Sequence, residues 1–155
     1  MKNFYNKGIS LIELLIVFAV IGILLLIVLP RFSQIKETQV LKNAASETLS
    51  ALNRARSNTL ASVNSSEYGV RFEADKVIIF KGTVYNVGAA DNEIINIISP
   101  ATITNVTLNG QSGTNGEMYF NRLYGVPSKT GTITITVSSS TKVITISAAG
   151  LSSIN

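Results

Sequence analysis

The sequence predicts an α+β protein: a long N-terminal helix, its first half transmembrane and its second half amphipathic, packed on an antiparallel β-sheet head. Three observations carry that expectation. From Ile9 to Leu29 runs a 21-residue apolar stretch whose only charge is Glu13. From Leu41 to Val63 apolar residues return at helical spacing, and from Glu67 onward the alternation has a period of two. The implied organisation is a leader over residues 1–8, a membrane helix over 9–30, an amphipathic helix over 31–64 and a β head over 65–155. Residues 31–155 are expected to form one globular domain, within the usual size of about 100–150 residues.

As a helix, Ile9 to Leu29 would rise roughly 31 Å at 1.5 Å per residue, enough to cross a bilayer core once. A secretory signal peptide differs, because its apolar region is only about 7–15 residues long and is followed by a small-residue cleavage site. Here the run ends in Pro30-Arg31. Flanking charge does not set orientation, since Lys2 and Lys7 on one side face Arg31, Lys36 and Lys42 on the other.

Beyond Pro30, the residues Leu41, Ala44, Ala45, Thr48, Leu49, Leu52, Ala55, Thr59, Leu60 and Val63 share one helical face. Lys42, Asn43, Glu47, Asn53, Arg54 and Ser57 take the other. The apolar face needs cover, which the following strands supply. Arg56 falls toward that face and reads as a stem lying along the helix–sheet seam with its charged head in solvent. Ser62 to Ser66 ends the helix. Tyr68–Phe72 and Lys76–Phe80 read as a hairpin, and further strands are expected at Glu93–Ile98, Thr102–Leu108, Glu117–Phe120, Thr132–Val137 and Lys142–Ser147. The Gly-rich stretch Gln111–Gly116 reads as a β-loop, because no Lys and no helix follow it as a phosphate cradle would require.

Composition narrows the chemistry. The chain has no cysteine and no histidine, so thiolate chemistry and the commonest general base and metal ligand are absent. Its nine acidic side chains are dispersed and form no metal-binding spacing, and no cofactor motif is present. A non-enzymatic protein is expected. Without Lys2 and Lys7 the thirteen basic side chains fall to eleven against nine acids, too slight an excess to suggest nucleic acid.

A charge at the centre of a membrane helix costs about 2.5–3.5 kcal/mol on insertion scales, so an ionisable residue within such a span, here Glu13, is a functional-site candidate by default. Its context supplies a role. The segment Lys7-Gly8-Ile9-Ser10-Leu11-Ile12-Glu13-Leu14 resembles the N-terminus of bacterial type IV pilins and type II secretion pseudopilins. That resemblance implies a cytoplasmic leader, cleavage between Gly8 and Ile9 by a prepilin peptidase, and N-methylation of Ile9. Gly8 suits such a cut, since an extended backbone without a side chain can lie close to catalytic groups. Ile9 stands where the family most often has Phe. Glu13 would then meet the Ile9 ammonium of a neighbouring subunit during assembly; a proton-relay carboxylate would need a second ionisable group in the span, and none is there. Gly22 and Pro30 match pilin positions that let the intervening helix bend or unwind.

Further along, Leu52-Asn53-Arg54-Ala55-Arg56-Ser57, Met118-Tyr119-Phe120-Asn121-Arg122-Leu123-Tyr124-Gly125, a Thr-rich strand pair and Ala149-Gly150 resemble the H-type minor pseudopilin and related minor pilins. The implied partners are the prepilin peptidase, other pilin-like subunits in a homo- or hetero-oligomeric filament, an inner-membrane assembly platform and the membrane itself. The head would be extracytoplasmic, in a periplasmic pseudopilus or an extracellular pilus. Rival readings are a major pilin, a DNA-uptake minor pilin and an uncleaved single-span binding module. DNA is disfavoured because the tail after Gly150 has no basic residue, and Arg71, Lys76, Lys81, Arg122 and Lys129 read as scattered and solvated.

Overall fold

The computed structural model describes residues 10–155, with side chains outside residues 29–33. The chain divides into two compact units, Met1–Lys36 and Glu37–Asn155. One helical element, α1 (Leu11–Leu60), contributes to both. Its backbone is helical through Gly22 and Pro30.

Within the second unit the rest of the chain is antiparallel β-structure. The strands are β1 (Tyr68–Phe72), β2 (Lys76–Lys81), β3 (Glu93–Asn96), β4 (Thr102–Leu108), β5 (Gln111–Gly113), β6 (Gly116–Phe120), β7 (Gly131–Val137), β8 (Ser140–Ile146) and β9 (Ser152–Ile154). They form two sheets, one in the order β3-β2-β1-β6 and the other β5-β4-β7-β8-β9. The fold is therefore α+β, with two sheets where the sequence suggested one.

Register explains the alternation. In the first sheet Val70 lies opposite Ile79 and Met118, and Phe72 opposite Val77, so the middle of one face is apolar, with Lys81 and Glu93 at its margin. In the second, Val106, Ile133 and Ile144 align across three strands while Thr107, Thr132 and Thr145 align on the opposite face. Both apolar faces join one core with Leu41, Ala44, Ala45, Ala51, Leu52 and Ala55 of the helix. Small helix residues at the contact let the sheets approach closely, and the strands supply the volume through Phe72, Phe120, Ile133 and Ile135.

Two buried threonines on the helix avoid an unpaired hydroxyl by bonding back one turn. Thr48 Oγ1 donates to Ala44 O at 2.8 Å and Thr59 Oγ1 to Ala55 O at 2.9 Å. Thr59 Oγ1 also accepts from Tyr68 N at 2.9 Å, which fastens the start of β1 to the end of the helix.

The structure corrects several sequence expectations. The helix stops at Leu60, and Val63–Ser65 forms a separate 3₁₀ turn with Ser62, Asn64 and Ser65 at positive φ. Leu60, at the helix end, and Val63, beyond the break, are exposed, while Ala51 joins the buried face. Gln111–Gly113 is strand β5 rather than loop, since Asn109-Gly110, both at positive φ, fold it back on β4. Strand β3 ends at Asn96 instead of Ile98, and β9 is an additional edge strand on β8.

Because the second unit has its own core, removal of residues 1–30 should leave a soluble head with mixed helix and strand circular dichroism. Leu52 is fully buried, so Leu52→Ala in that head should lower unfolding stability by about 2–5 kcal/mol, measured by urea titration.

Candidate membrane and assembly site

The first functional region is the apolar part of α1. Leu11–Val28 is long and apolar enough to cross a membrane, and none of it is buried. Solvent-exposed apolar surface on this scale far exceeds what a soluble monomer keeps. Lipid or other apolar helices must cover it. Glu13 is exposed in the first turn, where backbone N–H groups of the helix end favour a carboxylate. It enters none of the ion pairs among the described residues, and the sequence places no basic residue one turn away to supply one.

Gly22 lies in the helix interior, and a Cβ built on it meets nothing within 4 Å. Nothing in the chain itself requires glycine there, although it costs about 1 kcal/mol relative to Ala. Gly8 and Ile9, the expected cleavage and methylation positions, lie outside the described residues. Pro30 sits within α1, where its ring removes the hydrogen bond that Leu26 O would accept.

The second region is in the head. Arg56 Nε donates to Gly125 O at 3.1 Å and Arg56 Nη2 to Ala149 O at 3.3 Å. One guanidinium therefore closes two chain segments onto the helix. Glycine is needed at both loops: Gly150 has φ +78°, and a Cβ there would lie 2.2 Å from Gly125 O and 2.8 Å from Arg56 Nε. Gly125 has φ +63°, and its Cβ would lie 2.9 Å from a Leu60 methyl. Arg56 is half-buried, and its charged head, expected to rest in solvent, also donates to two loop carbonyls.

Arg71 and Lys76 are ion-paired and partly buried, contrary to the solvated reading, whereas Lys81, Arg122 and Lys129 are exposed as expected, the last two with hydrogen bonds inside the head. Arg71 faces Glu117 at 3.2 Å and Glu73 at 3.5 Å and lies over the Tyr85 ring at 5.6 Å. Lys76 pairs with Glu73 at 3.4 Å. Arg122 donates through Nε to Ser62 Oγ at 2.6 Å and through Nη1 to Ser65 O at 2.8 Å, and Lys129 Nζ donates to Glu117 O at 3.0 Å. Arg54 pairs with Glu93. These contacts organise loops and strands.

Among the described residues no group of three or more His, Cys, Asp or Glu side chains is gathered. A cavity of about 250 Å³ between β4 and β6 brings Glu117 and Lys129 to a floor of Val106 and Leu108. It contains one carboxylate and one amine.

Compared with known protein families, residues 3–29 match the model of the prokaryotic N-terminal methylation motif. The matched segment contains Gly8, Ile9, Glu13 and Gly22. No curated protein and no solved structure matches the chain.

The Arg56 contacts give a stability prediction. Gly150→Ala forces a side chain into Gly125 O at a left-handed position and should destabilise the head more than Gly22→Ala, which meets open space. Arg56→Met removes two hydrogen bonds from a charged donor and should cost about 2 kcal/mol in the truncated head, measured by urea titration.

Proposed function

We propose that this chain is a non-enzymatic type IV pilin-like subunit, trimmed by a prepilin peptidase and polymerised through its N-terminal helix. The observation that carries the proposal is the coincidence of an N-terminal methylation motif over residues 3–29 with an apolar helix, Leu11–Val28, whose one charge is Glu13. The motif indicates a prepilin-peptidase substrate, and the helix supports membrane anchoring. In this reading the peptidase cuts between Gly8 and Ile9 and methylates the new Ile9 amine. The chain waits in the inner or cytoplasmic membrane as a single-pass protein, with its head on the extracytoplasmic side.

Assembly then follows from charge and burial. As helices gather, the Glu13 carboxylate loses solvent on all sides. A half-made buried ion pair is strongly destabilising, by about 3–5 kcal/mol, so each Glu13 draws the Ile9 ammonium of a neighbour into register. Gly22 and Pro30 weaken the helix between them and let it adjust to the packing. The assembly platform of the membrane supplies the subunits.

The finer assignment is a minor component of a type IV pilus or a type II secretion pseudopilus, of the H-type. Three segments that carry that resemblance, Leu52–Ser57, Met118–Gly125 and Ala149-Gly150, meet at Arg56, which supports reading them as one structural signature.

In cells with a prepilin peptidase, Gly8→Val should accumulate the uncut chain on immunoblots while the head stays folded. Glu13→Ala should be cut and inserted but poorly incorporated, as measured by cross-linking between subunits, and Glu13→Asp should restore incorporation. Normal assembly of Glu13→Ala and Glu13→Leu would remove the ion pair from the account, because a purely anchoring helix gains from losing the charge.

A further inference from the structure

Building on the filament-subunit reading, we propose that successive heads meet through two different surfaces. The loop Asn121–Val126 of one copy docks on the edge of the next copy formed by β3 and the loop before it.

The docking loop is stiff and presents apolar side chains. Leu123 is 69% exposed and Tyr124 77%. Leu123 has φ +70°, a left-handed conformation that is costly for a bulky residue and persists only where surrounding contacts impose it. Those contacts are visible: Gly125 N donates to Asn121 O at 2.9 Å, Asn121 N to Val126 O at 2.8 Å, and Arg56 and Arg122 pin the loop to the end of the helix and the 3₁₀ turn. Little conformational freedom remains to be lost on binding. A rigid Tyr beside a Leu is the kind of anchor on which binding energy concentrates.

The receiving edge is held in the same way. Strand β3 is the outermost strand of its sheet. The loop before it is rooted by Tyr85, whose ring lies 5.7 Å from that of Phe80, and by Asn92 Nδ2 donating to Asn86 O at 2.7 Å. Val84, Val87 and Ile94 are left exposed, Val87 at 81%.

Charge selects this pairing. Within Asn121–Val126 the charge is Arg122, and across residues 82–96 the charges are Asp91 and Glu93, of which Glu93 is paired with Arg54 of its own head. Loop against loop would set Arg122 against Arg122, while loop against edge sets Arg122 toward Asp91. A contact between unlike surfaces also propagates as an open helix when its rotation does not close, as a filament requires, whereas a contact of one surface with itself stops at a dimer.

The chain has no cysteine, so single thiols report cleanly. Full-length Tyr124→Cys and Ile94→Cys copies, differently tagged, would be co-expressed in cells that assemble the filament and treated with a short bis-maleimide. A parallel Leu15→Cys pair reports helix packing. The expected result is a Y124C–I94C cross-link between the two tags, reduced about tenfold by Asp91→Arg on the I94C copy and retained with Asp91→Glu. A Y124C–Y124C product, or a Y124C–I94C product unchanged by Asp91→Arg, overturns the charge-matched contact. L15C cross-links without Y124C–I94C cross-links overturn the head contact and leave polymerisation standing. Failure of both removes the filament reading and this inference with it.

Discussion

An apolar helix surface that its own chain does not cover is the constraint from which the rest of this protein follows. Residues Leu11–Val28 are exposed around the whole circumference. Lipid satisfies that surface first, and neighbouring helices can satisfy it later, because hydrocarbon and packed apolar side chains are comparable solvents for it. The carboxylate of Glu13 breaks the equivalence between them: it is costly in lipid and can be neutralised where a second chain brings an ammonium. In the proposed reading, that single charge turns an anchor into a registered assembly element.

The same constraint shapes the head. If the membrane half of α1 is reserved for lipid and neighbours, the folded domain must stand on contacts made after Lys36. It does so with Leu41, Ala44, Ala45, Ala51, Leu52 and Ala55 set against the apolar faces of two antiparallel sheets. Polar closures complete it. Thr59 ties β1 to the helix, Arg56 ties two distant carbonyls to it, and Arg122 ties a loop to the turn beyond it. The head thus has a core of its own, and carries an exposed, hydrogen-bonded loop at Leu123 and Tyr124.

Legibility in the sequence tracks the range of the interaction. Strands β4 and β7 were readable because burial on one face writes itself into alternation, as in Ile133, Ile135 and Val137 against Thr132, Thr134 and Thr136, whereas β2 was readable as the short apolar run Val77–Phe80, buried on both faces. Strands β5 and β9 were not, because Gln-Ser-Gly and Ser-Ser-Ile lack the β-branched pattern and exist only through their neighbours. The Asn109-Gly110 pair was the available signal for β5, since it closes the hairpin with β4. The division into two sheets depends on β1 pairing with β6, which no local window contains. The partners of Arg56 lie 69 and 93 residues away, so its place at the seam was readable and its acceptors were not. The N-terminal candidates stood out for the opposite reason. They belong to a short linear motif, matched over residues 3–29, so Gly8, Ile9 and Glu13 stand within a few residues of one another.

The most direct measurement is the mass of the N-terminal peptide from the protein extracted from membranes of cells that own a prepilin peptidase. The account predicts a peptide that starts at Ile9 and is heavier by one methyl group on its amine. A peptide that still begins at Met1 and contains Gly8-Ile9 intact would contradict it, and would leave the span as a permanent anchor.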